Sequence, residues 1–178
     1  MDESPTIEPA APPGPLDFLE FAEARSGPLF RTAYLLTGGD SHLAEDLVQE
    51  ALSRMYVRWR RLSRLENPAG YAQTVLANTF LSLRRRRSSS EKVTEEFPEL
   101  AVSDRDSALR VTLLDALRQL SPPDRAVLVL RFWEDRSVEQ TAADLQLSAT
   151  AVRSRSHRAL GRMRTLLGDS FAEETARC

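Results

Sequence analysis

Apolar residues return every three or four positions through most of this chain, and nowhere do they alternate with polar ones over a useful length. That period is helical, so the pattern predicts an all-α fold. The longest stripe carries Leu43, Leu47, Val48, Ala51, Leu52, Met55, Trp59 and Leu62 as one continuous face, with Asp40 or Ser41 as its N-cap. Before it, Phe18, Leu19, Phe21 and Ala22 mark a helix that Ser26-Gly27-Pro28 either breaks or restarts; the second piece stops at Thr37-Gly38-Gly39. After it, Glu66-Asn67-Pro68-Ala69-Gly70 reads as a loop. The next helix turns Tyr71, Val75, Leu76, Thr79, Phe80 and Leu83 inward, leaves Asn78 and Ser82 on another side, and ends in the run Arg84 to Arg87. Cations suit a helix C-terminus, but four in succession exceed that need and suit a nucleic-acid backbone.

Further on, Leu113, Leu114, Leu117 and Leu120 predict one helix, and Ser121-Pro122-Pro123 starts another that buries Val127, Leu128, Leu130 and Trp133. Ser137 and Gln140 then form a capping-box pattern, and Ser148 caps a second helix directly after Leu145-Gln146-Leu147. In that second helix Val152, Ser156, Ala159, Met163 and Leu167 face inward, while Arg153, Ser154, His157 and Arg158 share the outer face, with Arg162 and Arg164 beyond. Arginine forks match phosphate oxygens and guanine edges, so the pair reads as a helix-turn-helix with its second helix in the major groove. A helical hairpin with a merely solvated basic face is the simpler alternative. The turn contains no glycine, and Gln146 has to be accommodated there.

Residues 1–15 hold five of the ten prolines and little to bury, which predicts a disordered leader. Residues 88–106 lack amphipathic order and are rich in serine and glutamate, so they read as a flexible acidic linker. The expected organisation is therefore two small helical domains, 16–87 and 107–168, the second ending in the helix-turn-helix, with a tail at 169–178. The net charge of −2 conceals an alternation: −3 over 1–15, +3 over 16–87, −4 over 88–106, +4 over 107–168 and −2 over 169–178. Both domains are basic, and local charge governs nucleic-acid attraction more than the total. On the long stripe's exposed side, Asp46, Gln49, Glu50 and Ser53 form a polar strip that spacing alone makes an ordinary solvated face.

Chemistry of other kinds finds no footing. The one cysteine, Cys178, supports neither a disulfide framework nor a thiol zinc site, and His42 and His157 stand far apart without a ligand motif. There is no Walker-type phosphate loop. No catalytic residue, metal ligand or cofactor is therefore expected, and the chain reads as a non-enzyme. The absence of a membrane-length apolar run and of a signal-peptide order predicts a soluble cytoplasmic protein with no membrane insertion.

Four segments, LLTGGDSHLAEDLVQEAL at 35–52, NPAGYAQTVLANTFLSLRRRR at 67–87, LRQLSPPDRAVLVLRFWEDRSVEQTAADL at 117–145 and AVRSRSHRAL at 151–160, occur in the order found in extracytoplasmic-function sigma factors of bacterial RNA polymerase. The chain resembles that family, in an actinobacterial branch, over about residues 16 to 167. The resemblance implies that 16–87 binds core polymerase and the −10 element and that 107–168 reads the −35 element as duplex. It assigns Asp46, Gln49 and Glu50 to core polymerase, reversing the solvated-face reading. It assigns Asn78, Glu66, Asn67 and Pro68 to the unpaired −10 strand, with Arg84 and Arg85 tracking its backbone, and Arg153, Ser154, His157 and Arg158 to the −35 duplex. Two departures stand out: Ser82 replaces a usual aspartate, leaving the fine −10 preference open, and Thr141 replaces an aliphatic residue, which predicts looser helix packing. The implied partners are bacterial RNA polymerase core and promoter DNA, with an anti-sigma factor left open. A stand-alone helix-turn-helix transcriptional regulator is the alternative.

Overall fold

A computed structural model describes residues 15–89 and 105–176, with side chains described over 18–86 and 109–168. Most of the expected leader and linker, and the last two residues of the tail, lie outside the described residues. Within them every regular element is helical, in eight α-helices and one π-helical turn. None of these helices is long and apolar enough to cross a membrane.

Helix α1 (Pro15–Thr37) runs straight through Pro28, so the expected break at Ser26-Gly27-Pro28 does not occur. A proline inside a helix costs about 3 kcal/mol. Burial of Leu29, Thr32, Ala33 and Leu36 on the far side of Pro28 outweighs it, and the Thr32 hydroxyl lies 3.2 Å from the Pro28 carbonyl. Helix α1 stops where glycine predicted, with Gly38 and Gly39 at φ 73° and 97° and the Gly39 amide donating to the Tyr34 carbonyl at 2.8 Å.

Asp40 caps α2 (Ser41–Tyr56), its Oδ1 accepting from the Leu43 amide at 2.9 Å. The predicted continuous helix to Leu62 is instead two pieces. Backbone at Arg58 leaves the helical region (φ −115°, ψ 9°), and the short α3 (Trp59–Leu62) follows. Trp59 and Leu62 are buried nonetheless, because the Trp59 ring packs edge-on against Phe18 at 5.2 Å and beside Phe21 at 4.7 Å.

Helix α4 (Pro68–Ser89) takes in most of the expected loop. Asn67 is its N-cap, with Oδ1 accepting from the Gly70 amide at 2.8 Å, and Pro68 occupies the first turn, where a missing N–H is harmless. Leu76, Thr79 and Phe80 are buried as predicted, while Tyr71, Val75 and Leu83 are half-buried. Ala72 and Ala77 are buried as well, because α4 is covered on two sides, by α1 and α2 and by the second lobe.

In that lobe α5 (Arg105–Arg118) buries Leu114 and Leu117 and leaves Leu113 at the surface. Ser121 caps α6 (Pro122–Leu128), which passes into the π-helical turn Val129–Trp133. The wider turn is seen in the Glu134 amide donating five residues back to Val129. It sends Phe132 and Trp133 outward, both more than half exposed, so Trp133 is not a core residue. Helix α7 (Val138–Leu145) begins with the complete capping box, Ser137 and Gln140 each accepting from the other's amide at 3.0 and 2.8 Å. Gln146 then turns the chain in the left-handed region (φ 55°, ψ 44°), and Ser148 caps α8 (Ala149–Ala176) through the Ala151 amide at 3.1 Å. Val152, Ala159 and Met163 are buried and Ser156 and Leu167 half-buried, the predicted stripe.

The two lobes share an apolar core that runs from Phe18 through Phe80 to Leu130 and Val152. Arg125 of α6 is buried at the seam, donating to the carbonyls of Leu36 and Arg118, each at 2.8 Å, and Leu120 at 3.3 Å. One guanidinium thus serves the orphan carbonyls at the ends of α1 and α5. At the same seam, a Cβ on Gly38 would stand 2.2 Å from Arg118 Cγ, so the helix stop also admits the other lobe.

Candidate nucleic-acid interface

Helix α8 presents a ready basic face. Its buried stripe pins the rotation of the helix against α5, α6 and α7, and Arg153, Ser154, His157 and Arg158 then all fall exposed, with Arg162 and Arg164 continuing the row. Arg153 meets Glu139 of α7 at 3.0 Å, but both are well exposed, so the pair is weak and its guanidinium remains exchangeable. Arg155, between them in sequence, points the other way and pairs with Asp124 of α6 at 2.8 Å, which braces α8 rather than widening the basic face.

In the first lobe, Asp46, Gln49 and Glu50 are exposed on α2. With Ser53 and Arg54 they line one wall of a groove whose other wall is Thr79, Ser82 and Arg86 of α4. Glu50 is paired with Arg54 at 2.7 Å. The strip is therefore one bank of a mixed-charge channel.

The remaining candidates lie along α4. Glu66 and Asn67 are exposed at its start, Pro68 is half-buried in the first turn, Asn78 lies mid-helix, and Arg85 is exposed near the end. Asn67, Asn78 and Arg85 are 11 and 7 residues apart, within about 20° of one face at 3.6 residues per turn. Arg84 departs from that face, its guanidinium resting 5.9 Å from the Phe80 ring. Asn78 is not free: its Nδ2 donates to the Thr74 carbonyl at 3.0 Å and to the Asp144 carbonyl of α7 at 2.8 Å. Gln73, Thr74, Arg125, Glu134, Arg136 and Asp144, which join the lobes around it, carried no sequence signal. They are single polar residues on amphipathic helices or in a short turn, and only tertiary packing brings them together.

A helical first lobe with an asparagine-and-arginine face, followed by a helix-turn-helix with a basic outer face, defines a DNA-binding protein of the two-module kind. The family models for Sigma-70 region 2 and Sigma-70, region 4 match residues 21–90 and 110–163. The chain is 40% identical to the RNA polymerase sigma-E factor of Streptomyces coelicolor over 84% of this chain and 85% of that one. It is 34% identical to the ECF RNA polymerase sigma factor SigL of Mycobacterium tuberculosis over 78% and 82% of the two chains. Among solved structures, the sigma factor RpoE of Bartonella quintana, crystallised with the anti-sigma factor NepR, superposes with a TM-score of 0.71 at 26% identity, covering 85% of this chain and 97% of that one. The chain belongs to the extracytoplasmic-function sigma factors of the sigma-70 family and is an RNA polymerase sigma factor with actinobacterial relatives.

Proposed function

We propose that this chain is a non-catalytic, cytoplasmic specificity subunit that directs core polymerase to particular promoters and helps open them at the −10 element. On this reading residues 16–87 bind core polymerase and the −10 strand, and 107–168 bind the −35 duplex. The observation that carries it is the uninterrupted exposed face Arg153, Ser154, His157 and Arg158 on a helix braced as the second member of a helix-turn-helix. Asp46, Gln49 and Glu50 dock on core polymerase. Asn78, Glu66, Asn67 and Pro68 take the unpaired −10 strand, and Arg84 and Arg85 follow its phosphates. Capturing an extruded base in pocket contacts offsets its unstacking, so promoter opening needs no nucleotide hydrolysis by this subunit. The crystallised relative with its anti-sigma factor supports a partner of that kind here.

The test is reconstitution with core polymerase and a promoter library, followed by transcript sequencing. Arg158→Ala is expected to lower −35-dependent run-off transcription while leaving co-purification with core intact, and Asp46→Ala or Gln49→Ala to reduce co-purification with core. Equal loss of both readouts for Arg158→Ala refutes the division of labour.

A further inference from the structure

Where α2 gives way to α3, the first lobe carries a strongly basic corner outside the faces assigned to DNA and core polymerase. Residues 54–64 hold five arginines and no acid. Arg54 pairs with Glu50, but Arg58, Arg60, Arg61 and Arg64 are exposed and have no ion pair among the described residues. Solvent alone could satisfy such charges, yet the corner is apolar as well: Val57 is 82% and Tyr56 54% exposed. Beside them Arg54, Val57 and Arg58 join Tyr71 and Val75 of α4 around a cup of about 380 Å³. Arginine forks around an aromatic and aliphatic floor suit a short acidic peptide with an apolar side chain, its carboxylates meeting the forks and its aliphatic group entering the cup.

A segment of that chemistry leads directly to this corner. Phe18, one turn into α1, packs its ring on Tyr56 at 5.1 Å and on Trp59 at 5.2 Å, so α1 starts against the α2 to α3 junction. Residues 1–14, which precede it, contain Asp2, Glu3 and Glu8, no Lys or Arg, and one branched aliphatic residue, Ile7. A chain covers at most about 3.5 Å per residue, so Ile7 has up to about 28 Å of reach from Pro15. The cup begins at Val57, the residue next to Tyr56.

We propose that residues 1–14 are the occupant of this corner: Ile7 seats in the cup between Val57, Tyr71 and Val75, and Asp2, Glu3 and Glu8 pair with the arginines of residues 58–64. The segment acts as a tethered counter-charge that any other polyanion has to displace. Exposed ion pairs are individually weak, but the tether holds their partners at an effective concentration in the millimolar range. The pairs lie at the surface, so salt screens them and the contact loosens as ionic strength rises.

The test uses the full chain, with a nitroxide attached at Ser4→Cys in a Cys178→Ser background and amide broadening read on isotope-labelled protein. Broadening is expected at Val57, Arg58, Arg61 and Tyr71, fading as salt rises from about 50 mM to about 500 mM. Ile7→Ser, or Asp2→Asn with Glu3→Gln and Glu8→Gln, is expected to reduce it by roughly threefold or more. Broadening spread evenly over the surface, or strongest on the Arg153 to Arg158 face of α8, overturns the proposal. Equal broadening with nitroxide and isotope on separate molecules would make a second copy's leader the occupant and overturn it too. The counter-charge is tested by anisotropy with a labelled single-stranded DNA of mixed sequence at low salt. Neutralising the three leader acids should tighten binding roughly threefold in the parent and leave it unchanged in a chain with Arg58→Gln and Arg61→Gln. Equal tightening in both chains would reflect net charge alone and refute the docking, and no tightening in either refutes the counter-charge.

Discussion

Replacing Gln146 by glycine is expected to stabilise the protein. The residue turns the chain between α7 and α8 at φ 55° and ψ 44°, where its amide reaches the Ala143 carbonyl at 3.4 Å and the Leu147 amide reaches Ala142 at 2.9 Å. Holding a side chain in left-handed backbone costs roughly 1–2 kcal/mol, because Cβ crowds the following carbonyl. Glycine removes that cost but gives the unfolded chain more freedom, returning about 0.5–1 kcal/mol. Gln146 is exposed, so little burial is lost. The net gain is therefore about 0.5–1 kcal/mol, a rise in Tm of about 1–4 °C for a chain of this size. In urea the midpoint should move up by about 0.3 M. Gln146→Val, with a β-branched side chain in the same backbone, should move it down by at least as much. Promoter-directed transcription should be unchanged by the glycine, since the residue lies off the outer face of α8. A glycine variant no more stable than the parent, or a valine variant equally stable, would refute the claim that this turn stores strain.

Thr141→Val is expected to raise stability by about 1 kcal/mol, read from urea unfolding, because Thr141 is fully buried and its hydroxyl has no hydrogen-bond partner among the described residues. A loss of stability would mean that the hydroxyl is satisfied after all. Ser137→Ala should cost about 1 kcal/mol by removing the capping box, and Gln140→Ala in the same background should then cost little more, since the two act reciprocally. Phe80→Ala should cost about 3–5 kcal/mol in the same assay, the ring being wholly buried where both lobes meet. A cost near 1 kcal/mol would show the shared core to be loosely packed.

Much of the local structure is legible in the residues alone, because local chemistry decides it. Helical spacing picked out the inward stripe of α8 and left Arg153, Ser154, His157 and Arg158 outside, and a stripe packed against its own hairpin leaves no other rotation open to the helix. Ser137 and Ser148 cap the helices they were expected to cap, and of the two candidates Asp40 and Ser41 it is Asp40 that caps α2, since each satisfies an amide within three residues. What failed was local preference opposed by packing: Pro28 did not break α1, and Asn67-Pro68 started α4 instead of a loop. Trp133 left the core because it closes a π-turn, which carries no compositional mark. The joining of the lobes was not legible at all. Hydrogen bonds from Asn78 to Asp144, Arg136 to Gly70 and Arg125 to Leu36 span 66, 66 and 89 residues. Periodicity tells which side of a helix is buried but not what buries it, and a polar residue's partner across such distances is chosen only when the whole chain has packed.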